Sequence, residues 1–141
     1  MYINETKIKV RYVETDQMGI VHHSNYYAWF EVGRTEYITE IGMTYKDMEQ
    51  NNIMLPVVES CCKYIEGAKY EDILTIQTFI QELNGAKVIF NYNVIREKDG
   101  KILAKGSTTH AFVNEKFRVV NLKKTNPDIW SRFEKLFRSG E

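Results

Sequence analysis

Residues 11–36, RYVETDQMGIVHHSNYYAWFEVGRTE, determine how this chain of 141 residues folds. An acidic loop with one glycine and two histidines runs directly into a segment of large apolar residues. Asp16 ends a strand-like segment, and Gly19 permits a turn that other residues resist. Ser24 or Asn25 can cap the helix that follows. The sequence therefore predicts a carboxylate beside a helix N-terminus, where backbone N–H groups can bind an oxyanion.

The helix predicted after this loop covers residues 25–41. Its large apolar residues are Tyr26, Tyr27, Trp29, Phe30, Val32, Tyr37, Ile38 and Ile41. Because they cover more than the single stripe of a surface helix, the sequence predicts that most of the helix is buried. Glu31 and Arg34 are three residues apart, a spacing that permits an ion pair along one edge.

One strand is predicted before this helix and another after it. Lys7–Val13 alternates polar and apolar residues, which places Ile8, Val10 and Tyr12 on one face of a first strand. Residues 44–52 form a shorter amphipathic segment, and a long strand is expected to begin near Pro56.

The second half of the chain predicts an antiparallel meander of three strands. They are Ile73–Leu83, a strand with Val88, Phe90, Tyr92 and Val94 on one face, and residues 102–114. Asn84-Gly85 and Asp99-Gly100 separate these strands, and both dipeptides favour tight turns. After Asn126-Pro127, apolar residues at helical spacing predict a C-terminal amphipathic helix.

These elements indicate an α+β fold in which the sheet curls around the long helix. No other predicted element is large enough to cover the apolar face of the sheet. A chain of this length can bury one substantial core but not two, so residues 1–141 are expected to form a single domain.

The composition argues against several classes of partner. The 19 basic and 19 acidic residues cancel, and no basic stripe suited to nucleic acid is present. No apolar stretch approaches the roughly 20 residues of a membrane span, and MYINETKIKV lacks the apolar core of a signal peptide. Cys61 and Cys62 are adjacent, so in a strand they point to opposite faces and cannot easily pair. We expect a cytoplasmic protein with reduced thiols.

The run from Tyr12 to Glu36 resembles the signature of hotdog-fold thioesterases of the 4-hydroxybenzoyl-CoA thioesterase type, especially the branch of the tol-pal-associated acyl-CoA thioesterase. The resemblance rests on Tyr12, Glu14, Asp16, Gly19, Val21, His23, Asn25, Tyr26, Glu31, Arg34 and Glu36. It extends through LPVVE, Ala68-Lys69-Tyr70 and Asp72, and so spans most of the chain before the final helix.

This resemblance implies an enzyme that hydrolyses acyl-CoA thioesters to free acid and coenzyme A without a cofactor. Asp16 is the candidate general base or nucleophile, and these two routes remain open. His23 is the candidate second catalytic residue, through its backbone N–H at the helix terminus and through its side chain. The candidate substrate-binding residues are Gly19, Val21, Asn25 and Tyr26.

The other histidines have plainer interpretations. His22 competes with His23 for the catalytic role, and the spacing from Gly19 to Asn25 in the family favours His23. A metal site is not expected, because adjacent histidines seldom chelate one ion and no cysteine pair is available to help. His110 lies in a strand and is expected to be a hydrogen-bonded structural residue.

Other functions on the same fold remain open at this stage. The chain could bind acyl thioesters or recognise an acyl carrier protein without hydrolysis, or it could be a hydratase or dehydratase. The candidates for coenzyme A phosphate contacts, Lys63, Lys69, Lys105 and Arg118, are scattered. The resemblance also implies a homodimer or homotetramer, in which paired subunits protect the exposed sheet edges.

Overall fold

The computed structural model describes residues 1–140 and contains one five-stranded antiparallel sheet with four α-helices and one short 3₁₀ helix. The elements in chain order are β1 Asn4–Lys9, α1 Ser24–Thr39, α2 Tyr45–Gln50, β2 Val57–Tyr64, β3 Ile73–Leu83, β4 Lys87–Arg96, β5 Ile102–Ala111, α3 Leu122–Thr125 and α4 Pro127–Phe137. The strand order is β1-β3-β4-β5-β2, so β1 and β2 lie at the two edges. This arrangement confirms the predicted α+β hotdog fold.

Helix α1 packs against the inner face of the sheet. Gly33 lies so close to β3 that an added Cβ would overlap the Thr78 hydroxyl. A Cβ on Gly106 in β5 would likewise overlap the ring of Phe30, which stacks on Tyr92 with ring centroids 4.4 Å apart. Two positions without side chains therefore allow the helix and the sheet to approach closely.

The meander β3-β4-β5 follows the predicted pattern. Val88, Phe90, Tyr92 and Val94 are all buried on the inner face, and Asn84 closes the first hairpin by accepting hydrogen bonds from the N–H groups of Ala86 and Lys87. In β5 the alternation of inward-facing and outward-facing side chains shifts by one residue. Val94 pairs with Ala104, whereas Ile95 pairs with Ile102. This bulge buries both Leu103 and Ala104.

Several local predictions were wrong. The first strand ends at Lys9, and Tyr12 lies in a short 3₁₀ helix, Tyr12–Glu14, that turns the chain towards the loop. The side of α1 that faces away from the sheet exposes Tyr27 and Val32, so the helix is less buried than predicted.

Arg34 does not pair with Glu31 as its spacing suggested. Its guanidinium instead points inward and donates to the hydroxyl of Tyr45 in α2, at 2.8 Å, and to that of Tyr92 in β4, at 3.2 Å. A solvated ion pair on the helix surface contributes little to stability, so the spacing of Glu31 and Arg34 does not by itself fix the guanidinium there.

Arg34 is the first member of a buried hydrogen-bond chain. Tyr92 Oη lies 2.6 Å from Thr108 Oγ1, which lies 2.8 Å from His110 Nε2. His110 Nδ1 lies 2.9 Å from the carbonyl of Leu55, so Nδ1 carries the proton and Nε2 accepts from Thr108. His110 is therefore a structural histidine, as predicted, and its neutral form fits the chain.

We expect His110 to make the free energy of unfolding depend on pH. Burial lowers the pKa of His110 to about 4 from an ordinary 6.5. The stabilisation is complete above pH 6.5 and is lost as the pH falls towards 4, by at most about 3 kcal/mol at about 1.4 kcal/mol per pKa unit. Urea unfolding at pH 7.5 and pH 4.5 measures this loss.

The matched control is His110→Gln, which has no titratable group at this position. Its free energy of unfolding should be lower at pH 7.5 but should change less between the two pH values than that of the parent. Equal pH dependence in both proteins would contradict the assignment.

Candidate active site

Asp16 lies in a tight turn that begins and ends in an isolated bridge between Thr15 and Val21. Its backbone N–H donates to the Ile20 carbonyl at 2.8 Å, and Gly19, at φ +80°, donates back to the Asp16 carbonyl at 3.0 Å. Asp16 Oδ1 accepts from the N–H of Met18 at 2.8 Å. Within residues 1–140, Oδ2 has no hydrogen-bond partner, so one carboxylate oxygen is fixed and the other is free to act on a ligand.

Helix α1 begins directly after His23. The N–H of His22 donates to the Glu14 carbonyl at 2.8 Å, but the N–H of His23 has no hydrogen-bond partner among the described residues. A free N–H at the positive end of a 16-residue helix is suited to hold a developing negative charge.

The predicted side-chain cap is wrong, because neither Ser24 nor Asn25 caps α1. Ser24 Oγ instead lies 2.8 Å from His22 Nδ1, and the Asn25 amide donates to the Glu14 carbonyl at 3.0 Å. These bonds tie the helix start to the preceding loop.

Glu14 anchors the loop to the helix. Its side chain is buried and accepts from the N–H of Arg11 at 2.8 Å and from Trp29 Nε1 at 2.9 Å. The Arg11 guanidinium lies 3.5 Å from the same carboxylate. Trp29 belongs to α1, so Glu14 fixes the distance between the Asp16 turn and the helix terminus.

A cleft of ≈ 280 Å³ opens beside this helix terminus. It is lined by Asp16, Met18, Ile20, Val21, His23, Tyr26, Tyr64, Ile65, Glu66 and Gly67. Four of the six predicted site residues, Asp16, Val21, His23 and Tyr26, therefore share one cleft. Gly19 and Asn25 lie outside its lining, in the turn and in the loop anchor.

Tyr64 also lines the cleft, and no sequence motif points to it. Its hydroxyl donates to the His23 carbonyl at 3.2 Å, and its ring meets the ring of Tyr26 edge-on at 5.1 Å. Tyr26 Oη in turn accepts from the N–H of Ala68 at 3.3 Å. Desolvation is the main cause that raises the pKa of both phenols, so both hydroxyls stay protonated at neutral pH.

Glu66 brings a second negative charge to the cleft, and a buried cation offsets it. Arg96 donates to Glu66 at 2.5 Å and to Asp99 at 2.7 Å. Hydrogen bonding from Arg96 is the main cause that lowers the pKa of Asp99 to about 2, so Asp99 stays ionised. This network holds the wall of the cleft.

The two adjacent histidines stack rather than converge on an ion. Their ring centroids lie 4.3 Å apart at an interplanar angle of 31°, with His22 Nδ1 engaged by Ser24. Across residues 1–140, no three His, Cys, Asp or Glu side chains form a group that could hold a metal.

Comparison with known proteins identifies the family of this chain. A family profile described as the thioesterase-like superfamily matches residues 10–129. The chain belongs to this superfamily. The resemblance stated from the sequence is thereby confirmed.

Individual members of the superfamily are similar over 63–96% of this chain. A Bacillus subtilis protein, YneP, provisionally named an acyl-CoA thioesterase, is 37% identical over 136 residues, which cover 96% of this chain and 98% of YneP. A crystal structure of a DHNA-CoA thioesterase from Staphylococcus aureus superposes with a TM-score of 0.90 at 31% identity, over 96% of this chain and 91% of that one. The acyl-CoA thioesterase YbgC of Haemophilus influenzae is 31% identical over 90 residues, 63% of this chain and 66% of YbgC.

We expect Glu14→Ala to lower the free energy of unfolding of this thioesterase by about 1–3 kcal/mol, because it leaves the buried Trp29 N–H without an acceptor. Urea unfolding followed by tryptophan fluorescence measures the change. Glu14→Gln keeps one acceptor oxygen and should lose less stability. If the two variants were equally stable, the anchoring role of the carboxylate would be wrong.

Proposed function

We propose that this thioesterase hydrolyses acyl-CoA thioesters to the free acid and coenzyme A. The observation that carries the proposal is the presence of a free Asp16 carboxylate oxygen and the unpaired His23 N–H at one cleft. A thioester carbonyl needs a base or nucleophile and a site for its developing oxyanion, and these two groups supply them. Relatives named as acyl-CoA thioesterases support the substrate class.

Asp16 acts as general base or as nucleophile. As a base, it takes a proton from water while the water oxygen attacks the carbonyl carbon. The tetrahedral intermediate then expels the coenzyme A thiolate, which takes up that proton. As a nucleophile, Asp16 displaces the thiolate to form a mixed anhydride that water hydrolyses. The Met18 N–H on Oδ1 orients the carboxylate in both routes.

His23 stabilises the oxyanion through its backbone N–H and the positive end of α1. Its imidazole lies in the cleft and meets the Tyr64 ring edge-on at 6.2 Å, where it can pass a proton to the leaving thiolate.

The four candidate binding residues divide by position. Val21 and Tyr26 are buried at the cleft and form an apolar wall for the acyl group. Gly19 acts indirectly by closing the Asp16 turn, and Asn25 acts by holding the loop through the Glu14 carbonyl.

The chain acts as a single domain in a homodimer or homotetramer that forms through the β2 edge. The support is that Val57 and Val58 on this edge strand are 50% and 61% exposed. Across residues 1–140, every helix is too short or too polar to span a bilayer. The free thiols of Cys61 and Cys62 agree with a cytoplasmic location.

We expect Asp16→Asn to lower kcat for thiol release by roughly a hundredfold or more, because the amide is neither a base nor a nucleophile but keeps the acceptor for Met18. The assay measures free thiol from a panel of short, long and aromatic acyl-CoAs and one acyl carrier protein thioester. Release by the parent but not by the variant supports the proposal. Equal rates would contradict it, tight binding without release would indicate a binding protein, and hydration of crotonyl-CoA without release would indicate a hydratase.

His23→Ala should lower kcat less than Asp16→Asn does, because the alanine retains the backbone N–H at the oxyanion site. Thiol release across pH 5–9 measures both the size of the loss and any change in the pH profile. His22→Ala is the comparison variant and should lose less activity than His23→Ala, because the His22 imidazole bonds to Ser24 and does not line the cleft. A loss in His23→Ala as large as that in Asp16→Asn would contradict the primary role of the backbone N–H.

A further inference from the structure

Residues 67–72, which connect β2 to β3, contact both ends of the loop between β1 and α1. Near the helix, the N–H of Val21 donates to the Ala68 carbonyl at 2.8 Å. At the other end of the loop, the N–H of Val10 donates to the Asp72 carbonyl at 2.9 Å. One connecting segment therefore fixes both ends of the loop through backbone hydrogen bonds.

A pair of tyrosines adds a side-chain contact between this segment and the loop. The rings of Tyr70 and Tyr12 meet edge-on, with centroids 5.6 Å apart and an interplanar angle of 88°. Both side chains lie at the surface, where Tyr70 is 52% exposed and Tyr12 is 75% exposed. Within residues 1–140, neither hydroxyl has a hydrogen-bond partner. The contact is therefore made by the rings alone, in a geometry that aromatic quadrupoles favour.

A strained backbone conformation presents Tyr70 to the loop. The next residue, Glu71, has a φ of +70°, in the left-handed region that residues with a Cβ rarely adopt. Its N–H donates to the Val10 carbonyl at 3.1 Å, and Asp72 Oδ2 accepts from the N–H of Lys69 at 2.9 Å. Such strain persists only where surrounding contacts over-determine the backbone, and it is concentrated at functional sites. Here the contacts hold the turn that contains Tyr70.

Two steps connect Tyr70 to the carboxylate of the proposed active site. The first is the ring contact with Tyr12. In the second, the Tyr12 carbonyl accepts from the Thr15 N–H at 3.0 Å and from the Thr15 hydroxyl at 2.7 Å. Thr15 directly precedes Asp16. The position of Tyr12 therefore determines where the Asp16 turn begins.

We propose that Tyr70 is a positioning residue, which packs against Tyr12 and thereby holds the Asp16 carboxylate in place opposite the His23 N–H. The inference rests on the proposed function of Asp16. A displacement of about 1 Å at a reacting group can cost roughly a hundredfold in rate, so a contact outside the cleft can control kcat. Tyr70 is not among the residues that line the cleft, so its effect on KM should be small.

Steady-state thiol release by Tyr70→Ala tests this role. Its kcat should fall about tenfold or more, because the Asp16 turn is no longer held from outside. Its KM should stay within about twofold of the parental value, because the lining of the cleft is intact. Tyr70→Phe should retain the parental kcat, since the contact uses the ring and not the hydroxyl. The matched control is Val13→Ala, because Val13 is 78% exposed in the same 3₁₀ helix as Tyr12 and should be dispensable for kcat.

Double variants show whether Tyr70 acts through Tyr12 and Asp16. Tyr12→Ala should lower kcat as Tyr70→Ala does, and the double variant should lose no more than either single one, because each removes the same contact. Adding Tyr70→Ala to Asp16→Asn should leave the residual rate unchanged, since the carboxylate that it positions is already absent. Urea unfolding of each variant should show a cooperative transition, because both tyrosines lie at the surface.

The outcomes separate the positioning role from the proposed function. If Asp16→Asn releases thiol as fast as the parent, the proposed function is wrong, and the positioning role with it. If Asp16→Asn is inactive but Tyr70→Ala keeps the parental kcat or changes only KM, the positioning role alone is wrong.

Three further results would overturn the positioning role alone. The first is a loss of kcat in Tyr70→Phe or in Val13→Ala as large as that in Tyr70→Ala. The second is a residual rate of Asp16→Asn that Tyr70→Ala lowers by the same factor as it lowers the parental rate. The third is the absence of a cooperative unfolding transition in Tyr70→Ala, which would assign the residue a role in folding instead.

Discussion

The close approach of helix α1 to the inner face of the sheet is the constraint on which the other features of this thioesterase depend. Gly33 and Gly106 leave no side chain between helix and strands, so Phe30 can stack on Tyr92 and the core can close. Because interiors are close-packed, a larger residue at either position would displace the helix from the sheet. Displacement would also move the helix N-terminus, which carries the proposed oxyanion site. Core packing and catalytic geometry are therefore set by the same contact.

A buried carboxylate transmits this geometry to the catalytic loop. Glu14 connects the loop to Trp29 of α1, and its carbonyl receives the His22 N–H and the Asn25 amide. The Asp16 turn and the N–H of His23 are thus held by groups that do not line the cleft. Such support is what a preorganised site requires, because donors and base must be in position before charge develops on the substrate. Opposite them, Arg96 holds the Glu66 wall of the same cleft.

Local patterns in the sequence were sufficient for most of the fold. Period-two alternation identified the β3-β4-β5 meander, turn dipeptides marked its hairpins, and Asn126-Pro127 marked the start of α4. The family signature identified Asp16 and His23, which share a cleft. Predictions that depended on side-chain direction were less successful. Ser24 and Asn25 form hydrogen bonds with groups of the loop instead of capping α1. Arg34 donates to two buried hydroxyls instead of pairing with Glu31.

The sequence alone determined most of the elements and their order along the chain, and the family signature indicated the type of chemistry, because periodicity, turn residues and a contiguous motif are local properties of the chain. Tertiary structure alone decided which residues meet across long separations. Tyr64 reaches His23 over 41 positions, and Arg96 reaches Glu66 over 30. These contacts depend on strand register and on the depth of helix packing, which a bulge or a glycine can change without altering the local pattern. The walls of the cleft are consequently a product of the fold, whereas the proposed base and the proposed oxyanion site lie in one contiguous loop of the sequence.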